Sequence, residues 1–216
     1  MVEITPAELE AAQKIFGDRL DLATRYVEHL ATSGTERGLI GPREIPRLWG
    51  RHVLNCAVIE SEIPPNSHVA DVGSGAGLPG LCLAIARPDL KLTLIEPLER
   101  RVIWLQEVVD DLGLDNVTIL RTRAELAAGQ VTADVVTARA VSALNKLAGL
   151  TIPLLGGKGE VVAIKGRSAA EEIEKAAKVI RKLGGVETSV VVVGQELLEE
   201  PTTVVRIIVN KPGKIS

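Results

Sequence analysis

The sequence predicts an α/β fold in which a seven-stranded sheet follows a helical extension. Apolar strand patterns alternate with helical patterns from residue 67 onward, as in a parallel sheet covered on both faces. Two consecutive apolar runs, 186–193 and 202–209, are joined by an acidic loop without a helix, so we expect an antiparallel C-terminal hairpin. With 216 residues, the chain is long enough for one such domain and a small extension.

The helical extension is expected to cover residues 1–65, ahead of a main domain over 66–216. Thr5 suits the N-cap of the first helix, Glu8 completes a capping box, and Gly17 ends the helix. Further helices are expected over 19–32 and 43–60. The last of these carries an apolar stripe at helical spacing, formed by Ile45, Leu48, Trp49, Val53, Cys56 and Ile59.

The main domain is expected to alternate between parallel strands and helices, which is a Rossmann-like pattern. The strands are expected over 68–72, 91–95, 117–120, 133–137 and 159–165. The helices are expected over 78–86, 98–112, 142–150 and 168–183. Gly113 ends the second of these helices and Gly184 the last, which opens with a capping box between Ser168 and Glu171.

A glycine loop after the first of these strands is the strongest functional signal. Gly73, Gly75 and Gly77 alternate within Asp-Val-Gly-Ser-Gly-Ala-Gly-Leu-Pro-Gly, and glycines let a ligand approach the backbone closely. Glu96 ends the second strand, 21 residues after Gly75, about where an acid meets a ribose diol. We therefore expect a nucleoside-shaped pocket at this edge of the sheet.

The identity of the expected ligand depends on Asp71, at the mouth of the loop. The loop matches the dinucleotide fingerprint, yet a carboxylate there would repel a pyrophosphate. The same carboxylate suits S-adenosylmethionine, which carries an ammonium, a sulfonium and a ribose diol but no phosphate. S-adenosylmethionine is thus favoured over NAD, with an NAD-dependent oxidoreductase as the alternative. Asp71 as a simple cap of the loop and Glu96 as a solvated strand end remain open.

Composition limits the cellular context and the nature of the site. No apolar run approaches the ~20 residues of a membrane helix, and the N-terminus lacks signal-peptide features, so a cytoplasmic protein without a membrane partner is expected. The net charge of −3 argues against indiscriminate nucleic-acid binding but allows a local basic face. Cys56 and Cys82 are too few for a disulfide framework or zinc site, so buried thiols and no metal are expected. A monomer is expected.

The motifs along the chain closely resemble the glucose-inhibited division protein B family of bacterial 16S rRNA (guanine-N7) methyltransferases. The resemblance covers nearly the whole chain and is carried by Arg51-His52, the glycine loop over 71–80, Arg100-Arg101-Val102 with Leu105, Ala138-Arg139-Ala140 and Ala163-Ile164-Lys165-Gly166. It implies a class I S-adenosylmethionine-dependent methyltransferase fold. It further implies methyl transfer to guanine N7 in the decoding-region loop of 16S rRNA, within the small subunit or an assembly intermediate.

Specific residues take roles from this resemblance. Gly73 and Leu78 would line the methyl-donor pocket, Ala124 and Glu125 would flank the adenine, and Arg139 would be catalytic at the donor and target-base end. Guanine N7 carries an in-plane lone pair, so the enzyme needs positioning more than a general base. The planar fork of an arginine suits guanine O6 or a phosphate. Pairing of Arg139 with a structural acid is the alternative.

RNA contacts are expected from basic residues at strand ends and on the third helix: Arg47, Arg51, His52, Arg123, Lys165 and Arg167. Arg43, Arg47 and Arg51 are spaced by four and would share one face of a regular helix, either solvated or RNA-binding. For His52, a satisfied histidine on a half-buried face is the more favoured interpretation. Two departures from the family pattern, Gly38–Gly41 and Asn55, lie in this region. A non-catalytic RNA-binding protein with a vestigial pocket is the remaining alternative.

Overall fold

The computed structural model describes residues 2–139 and 142–211. Its strands are β1 (His68–Val72), β2 (Lys91–Ile95), β3 (Val117–Leu120), β4 (Val135–Arg139), β5 (Lys158–Lys165), β6 (Gly185–Val193) and β7 (Thr202–Asn210). They form one seven-stranded sheet in the order β3-β2-β1-β4-β5-β7-β6. The first five strands pair in parallel, while β7 runs antiparallel to both β5 and β6. The expected fold class and its C-terminal hairpin are confirmed.

Apart from a short unexpected helix over 124–127, the α-helices occur within or near the expected ranges. They are α1 (Pro6–Phe16), α2 (Leu20–His29), α3 (Asn55–Ala57), α4 (Gly80–Ala86), α5 (Glu99–Leu112), α6 (Ala124–Ala127), α7 (Leu144–Thr151) and α8 (Ala169–Leu183). The capping box of Thr5 and Glu8 is present, and Gly17, Gly113 and Gly184 end their helices as expected. The second predicted capping box is wrong. Ser168 has ψ 9° instead of the extended backbone of an N-cap, and its hydroxyl contacts Glu172.

The expected regular α-helix over 43–60 is instead a helical segment of mixed geometry. It consists of a 3₁₀ stretch Pro42–Arg47, a π stretch Leu48–Leu54, α3, and a 3₁₀ stretch Val58–Glu62. Pro46 lies inside the first stretch, where it removes a backbone donor and disturbs regular i to i−4 bonding. The four-residue spacing of the arginines therefore does not define a single face. We call this segment, residues 42–62, the mixed helix.

The extension and the sheet share one hydrophobic cluster. Phe16, Tyr26 and Trp49 from the extension are buried in it together with Trp104 of α5 and Leu81 of α4. The other face of the sheet packs on α7 and α8 through a second cluster of aliphatic residues. Among the described residues, no helix is both long and apolar enough to cross a bilayer.

The carboxyl ends of the parallel strands position the site. The direction of strand progression reverses between β1 and β4, which is the crevice where ligands bind in open α/β sheets. Val72 pairs with Ile95 on one side and Ala138 on the other. Each of these three residues is followed by one of the site candidates, which are Gly73, Glu96 and Arg139. The three candidates therefore stand in a row. β4 begins at Val135, two residues later than expected, and ends at Arg139. Arg139 is therefore the last residue of the strand instead of following it.

Candidate functional site

Asp71, in β1, holds the glycine loop through hydrogen bonds to its carboxylate. Its Oδ2 accepts hydrogen bonds from the Ser74 hydroxyl and from the Gly80 amide, the latter at 3.0 Å. Its Oδ1 is buried and has no hydrogen-bond partner. Burial raises the pKa of Asp71 to about 6, against the lowering effect of the hydrogen bonds from Ser74 and Gly80. The capping interpretation thus holds for one carboxylate oxygen, while the other has no partner within the protein.

Glu96 also holds the glycine loop, through a hydrogen bond to its backbone. Its carboxylate accepts from the Gly75 amide at 2.9 Å and from the Leu98 amide at 3.0 Å. The Arg101 guanidinium lies 3.7 Å from the same side chain. Glu96 is 1% exposed, so it is not a solvated strand end. Each carboxylate oxygen can accept a second hydrogen bond, which leaves capacity for a ribose hydroxyl.

The loop glycines have left-handed backbone and differ in the space around them. Gly73, Gly75 and Gly77 have φ values of 69°, 58° and 85°. A Cβ on Gly80 would lie 2.3 Å from Leu94 and 2.6 Å from the Asp71 carboxylate, so this position requires glycine for packing. A Cβ on Gly75 would meet only the Gly73 carbonyl at 3.8 Å. Gly75 therefore borders open space.

Tyr26 of the extension holds the loop from the outside. Its hydroxyl donates to the Ala76 carbonyl at 2.7 Å, and the side chain is fully buried. Sequence reasoning missed this contact, since a lone tyrosine on a helix 50 residues away carries no pattern that indicates it. The glycine loop is thus positioned jointly by the sheet and by the extension.

Arg139, the last residue of β4, has a histidine and a cysteine as hydrogen-bond partners. Its guanidinium donates to His52 Nδ1 at 2.7 Å and to Cys56 Sγ at 3.2 Å. Cys56 and Cys82 are both buried and free, as expected. Burial favours a higher pKa for the Cys56 thiol, yet its hydrogen bond with Cys82 and the charge of Arg139 make the pKa lower than usual. Ala140, the last residue of the Ala-Arg-Ala motif, lies outside the described residues.

His52 has both ring nitrogens in contact with protein groups, which favours the interpretation as a satisfied histidine over an RNA contact. It is 8% exposed, and its Nε2 lies 2.7 Å from a Glu44 carboxylate oxygen while Nδ1 faces Arg139. Both ring nitrogens are engaged inside the protein, so no polar atom of the side chain is left for a nucleotide.

The other basic candidates divide into paired and exposed residues. Lys165 is directed inward: its ammonium contacts Glu172 and the Ser142 carbonyl, each at 2.8 Å. Arg123 and Arg167 are exposed at strand ends. Ala124 and Glu125 begin α6, immediately after Arg123. Among the residues that the structure describes, no group of three or more His, Cys, Asp or Glu side chains could hold a metal ion.

A groove of about 450 Å³ separates α1, the mixed helix and the loop after β6. Arg47 and Arg51 line it together with Glu199 and Glu200. The Asn55 amide donates to the Glu200 carbonyl at 2.9 Å, and the Thr202 hydroxyl donates to the Asn55 carbonyl at 2.8 Å. Asn55, a departure from the family pattern, therefore ties the mixed helix to the edge of the sheet that holds Arg139.

Comparison with known proteins gives concordant matches. A family model described as "GidB: rRNA small subunit methyltransferase G" matches residues 19–201. The chain is 91% identical over 214 residues to ribosomal RNA small subunit methyltransferase G of Paenarthrobacter aurescens, covering 99% of each chain. The same protein of Pseudarthrobacter chlorophenolicus is 87% identical over 216 residues, covering 100% of each. Among solved structures, M. jannaschii TYW2 in complex with AdoMet superposes with a TM-score of 0.57 at 17% identity, covering 76% of this chain and 78% of that one.

Asp71→Asn tests whether the buried carboxylate destabilises the ligand-free protein. Because its folded pKa of about 6 lies above the ordinary value of 3.8, ionisation of Asp71 favours unfolding. Its stabilising contribution is full below about pH 4 and is lost as the pH rises through about 6. We expect denaturant titrations to show wild type losing stability relative to D71N over this range. A pH-independent difference would contradict the raised pKa.

Proposed function

The chain belongs to the GidB family of rRNA small subunit methyltransferase G, and on this basis we propose that it methylates N7 of a guanine in the decoding-region loop of bacterial 16S rRNA. It is an S-adenosylmethionine-dependent rRNA methyltransferase with the class I fold. The observation that carries the proposal is the row of Gly73, Glu96 and Arg139 across three strand ends, set by the register of β2, β1 and β4. An NAD-dependent oxidoreductase, the alternative, is wrong.

The residues of the loop fit S-adenosylmethionine. Its chemistry, when bound, is an electrophilic methyl group on a sulfonium. The unpartnered Asp71 Oδ1 suits a cationic ligand, and the open space beside Gly75 leaves room for a nucleoside. Glu96 retains acceptor capacity for the ribose. We assign the remaining donor contacts to Gly73, Gly77, Leu78, Ala124, Glu125 and Arg139.

Arg139 acts by positioning. Guanine N7 attacks through its own lone pair, so no residue has to remove a proton first. The guanidinium has five N–H groups in a planar fork, and the bonds to His52 and Cys56 leave others for guanine O6 or a phosphate. Holding the base in line with the reactive methyl is an approximation effect, which lowers the barrier because the reacting atoms are already oriented.

The RNA is held by exposed arginines around this edge. Arg47 and Arg51 line the groove beside the mixed helix, and Arg123 and Arg167 lie at strand ends. Phosphate contacts of this kind fix orientation, while the target base is read separately. We assign no direct phosphate contact to Lys165, since its charge is paired with that of Glu172. The protein would act as a cytoplasmic monomer on the small subunit or an assembly intermediate.

Gly75→Ala tests the position of the donor pocket against a matched control, Gly113→Ala. Gly75 and Gly113 have similar φ values, 58° and 63°, and a methyl at either is free of close contacts with the rest of the protein. Both variants should lose roughly 1–2 kcal/mol of stability through left-handed strain. Only G75A should lose donor affinity, by about tenfold or more, in calorimetric titration with S-adenosylmethionine. Equal affinities would place the pocket elsewhere.

Arg139→Ala should reduce single-turnover methylation of unmodified small subunits by on the order of a hundredfold, because misplacement by about 1 Å costs that much. Arg139→Lys keeps the charge but not the planar fork and should recover little of the rate. The melting temperatures of both variants serve as the control for folding. A normal rate in R139A would remove Arg139 from the site, whereas a collapsed melting temperature would make its role structural.

Replacing Arg47 and Arg51 with glutamine should weaken RNA binding and leave donor affinity unchanged. The control pair, Arg181 and Lys182, is exposed at the end of α8 on the opposite edge of the sheet and undergoes the same charge change. Each lost phosphate contact should flatten the dependence of log affinity on log salt by about 0.7–0.9. Identical slopes for the two double variants would show that the groove arginines are only a solvated surface.

A further inference from the structure

Glu44, His52 and Arg139 form a hydrogen-bonded chain that links the extension to the end of β4. The distances are 2.7 Å from Glu44 to His52 Nε2 and 2.7 Å from His52 Nδ1 to the Arg139 guanidinium. His52 is buried, whereas Arg139 and Glu44 are each partly exposed. No step of the proposed methyl transfer uses His52 or Glu44, yet their contacts end on the residue assigned to the reacting base.

The chemistry of the partners fixes the state of the imidazole. A guanidinium can only donate hydrogen bonds, so His52 Nδ1 must be the acceptor and carry no proton. The ring proton then lies on Nε2 and is donated to the Glu44 carboxylate. The hydrogen bond from His52 lowers the pKa of Glu44, which keeps this acceptor ionised. The chain is therefore directional, with Arg139 donating to His52 and His52 donating to Glu44.

We propose that His52, oriented by Glu44, is a positioning residue that aims the Arg139 guanidinium at the target guanine. The inference rests on the proposed role of Arg139. Two protein atoms accept hydrogen bonds from the guanidinium, His52 Nδ1 and Cys56 Sγ. The bond to Nδ1 is the shorter and stronger of the two, since a thiol sulfur is a weak acceptor. With Nδ1 in place, rotation of the long arginine side chain is restricted before RNA arrives.

A pH dependence follows from the same geometry. The charged groups facing His52 are Glu44 and Arg51 on the mixed helix and Arg139 on β4. Burial lowers the pKa of His52, the charge of Arg139 adds to this, and the bond to Glu44 opposes it. The neutral ring therefore persists at neutral pH. Below the ordinary histidine value of about 6.5, protonation at Nδ1 removes the acceptor and places two cations in contact.

Two variants at one position separate positioning from bulk. In H52N, the amide oxygen stands near Nδ1 and can still accept from Arg139, without titrating. In H52Q, the amide reaches the place of Nε2 and can bond Glu44, while the acceptor for Arg139 is lost. We expect kcat at saturating donor and RNA to fall about ten- to a hundredfold in H52Q and clearly less in H52N. The KM for S-adenosylmethionine should change less than kcat in both variants, because Arg139 is only one of the residues assigned to the donor. Equal losses in two folded variants, checked by melting curves, would overturn the proposal.

The pH profile and a double variant complete the test. The fall of kcat at acid pH that we assign to protonation of His52 should be absent in H52N. In E44Q this fall should shift to lower pH, because loss of the carboxylate lowers the pKa of His52 further. An unchanged fall in H52N would assign it to another group, such as Asp71, and overturn the proposal.

R139A with H52Q should be no slower than R139A alone, since His52 acts through Arg139. A slow R139A with a normal H52Q refutes only the positioning role. A normal R139A refutes the proposed role of Arg139 and this inference with it.

Discussion

The attachment of the glycine loop to Asp71 is the interaction on which the site depends. A single buried carboxylate oxygen receives the Ser74 hydroxyl and the Gly80 amide, and so joins the first turn of the loop to the start of α4. Hydrogen bonds to a charged group contribute about 1.5–3 kcal/mol each, but the charge is costly to bury. The second oxygen of Asp71 has no hydrogen-bond partner, so part of this unfavourable free energy is not offset in the ligand-free protein. The loop is therefore held together by a group whose charge is costly to bury.

The extension is part of the site as much as a covering for the sheet. Tyr26 contacts the loop at Ala76, while His52 and Cys56 contact Arg139. The shared hydrophobic cluster gives these polar contacts their rigidity, because a close-packed interior leaves few alternative positions for side chains. A boundary near residue 65 separates sequence patterns, but the contacts around the glycine loop and Arg139 come from both sides of it.

Sequence patterns were sufficient where local periodicity and a few special residues determine structure. The apolar runs located each strand, glycines located helix ends, and the acid at the end of the second strand lies beside the loop, with its carboxylate 2.9 Å from the Gly75 amide. They failed where geometry depends on context, as at Pro46 in the mixed helix and at Ser168, whose backbone is not extended. The links from Arg139 to His52 and Cys56 join residues 87 and 83 positions apart. No periodic pattern encodes such contacts, because the fold itself creates them.

The distribution of aromatic residues has a consequence for spectroscopy. The chain has two tryptophans, one tyrosine and one phenylalanine, and all of them lie in the cluster shared by the extension and the sheet. Trp49 belongs to the mixed helix, and the indole N–H of Trp104 donates to the Ser33 hydroxyl of the extension at 2.9 Å. Intrinsic fluorescence therefore reports the docking of the extension and is nearly blind to the aliphatic face under α7 and α8. A fluorescence transition that precedes the loss of far-ultraviolet circular dichroism would reveal the extension leaving an otherwise folded sheet.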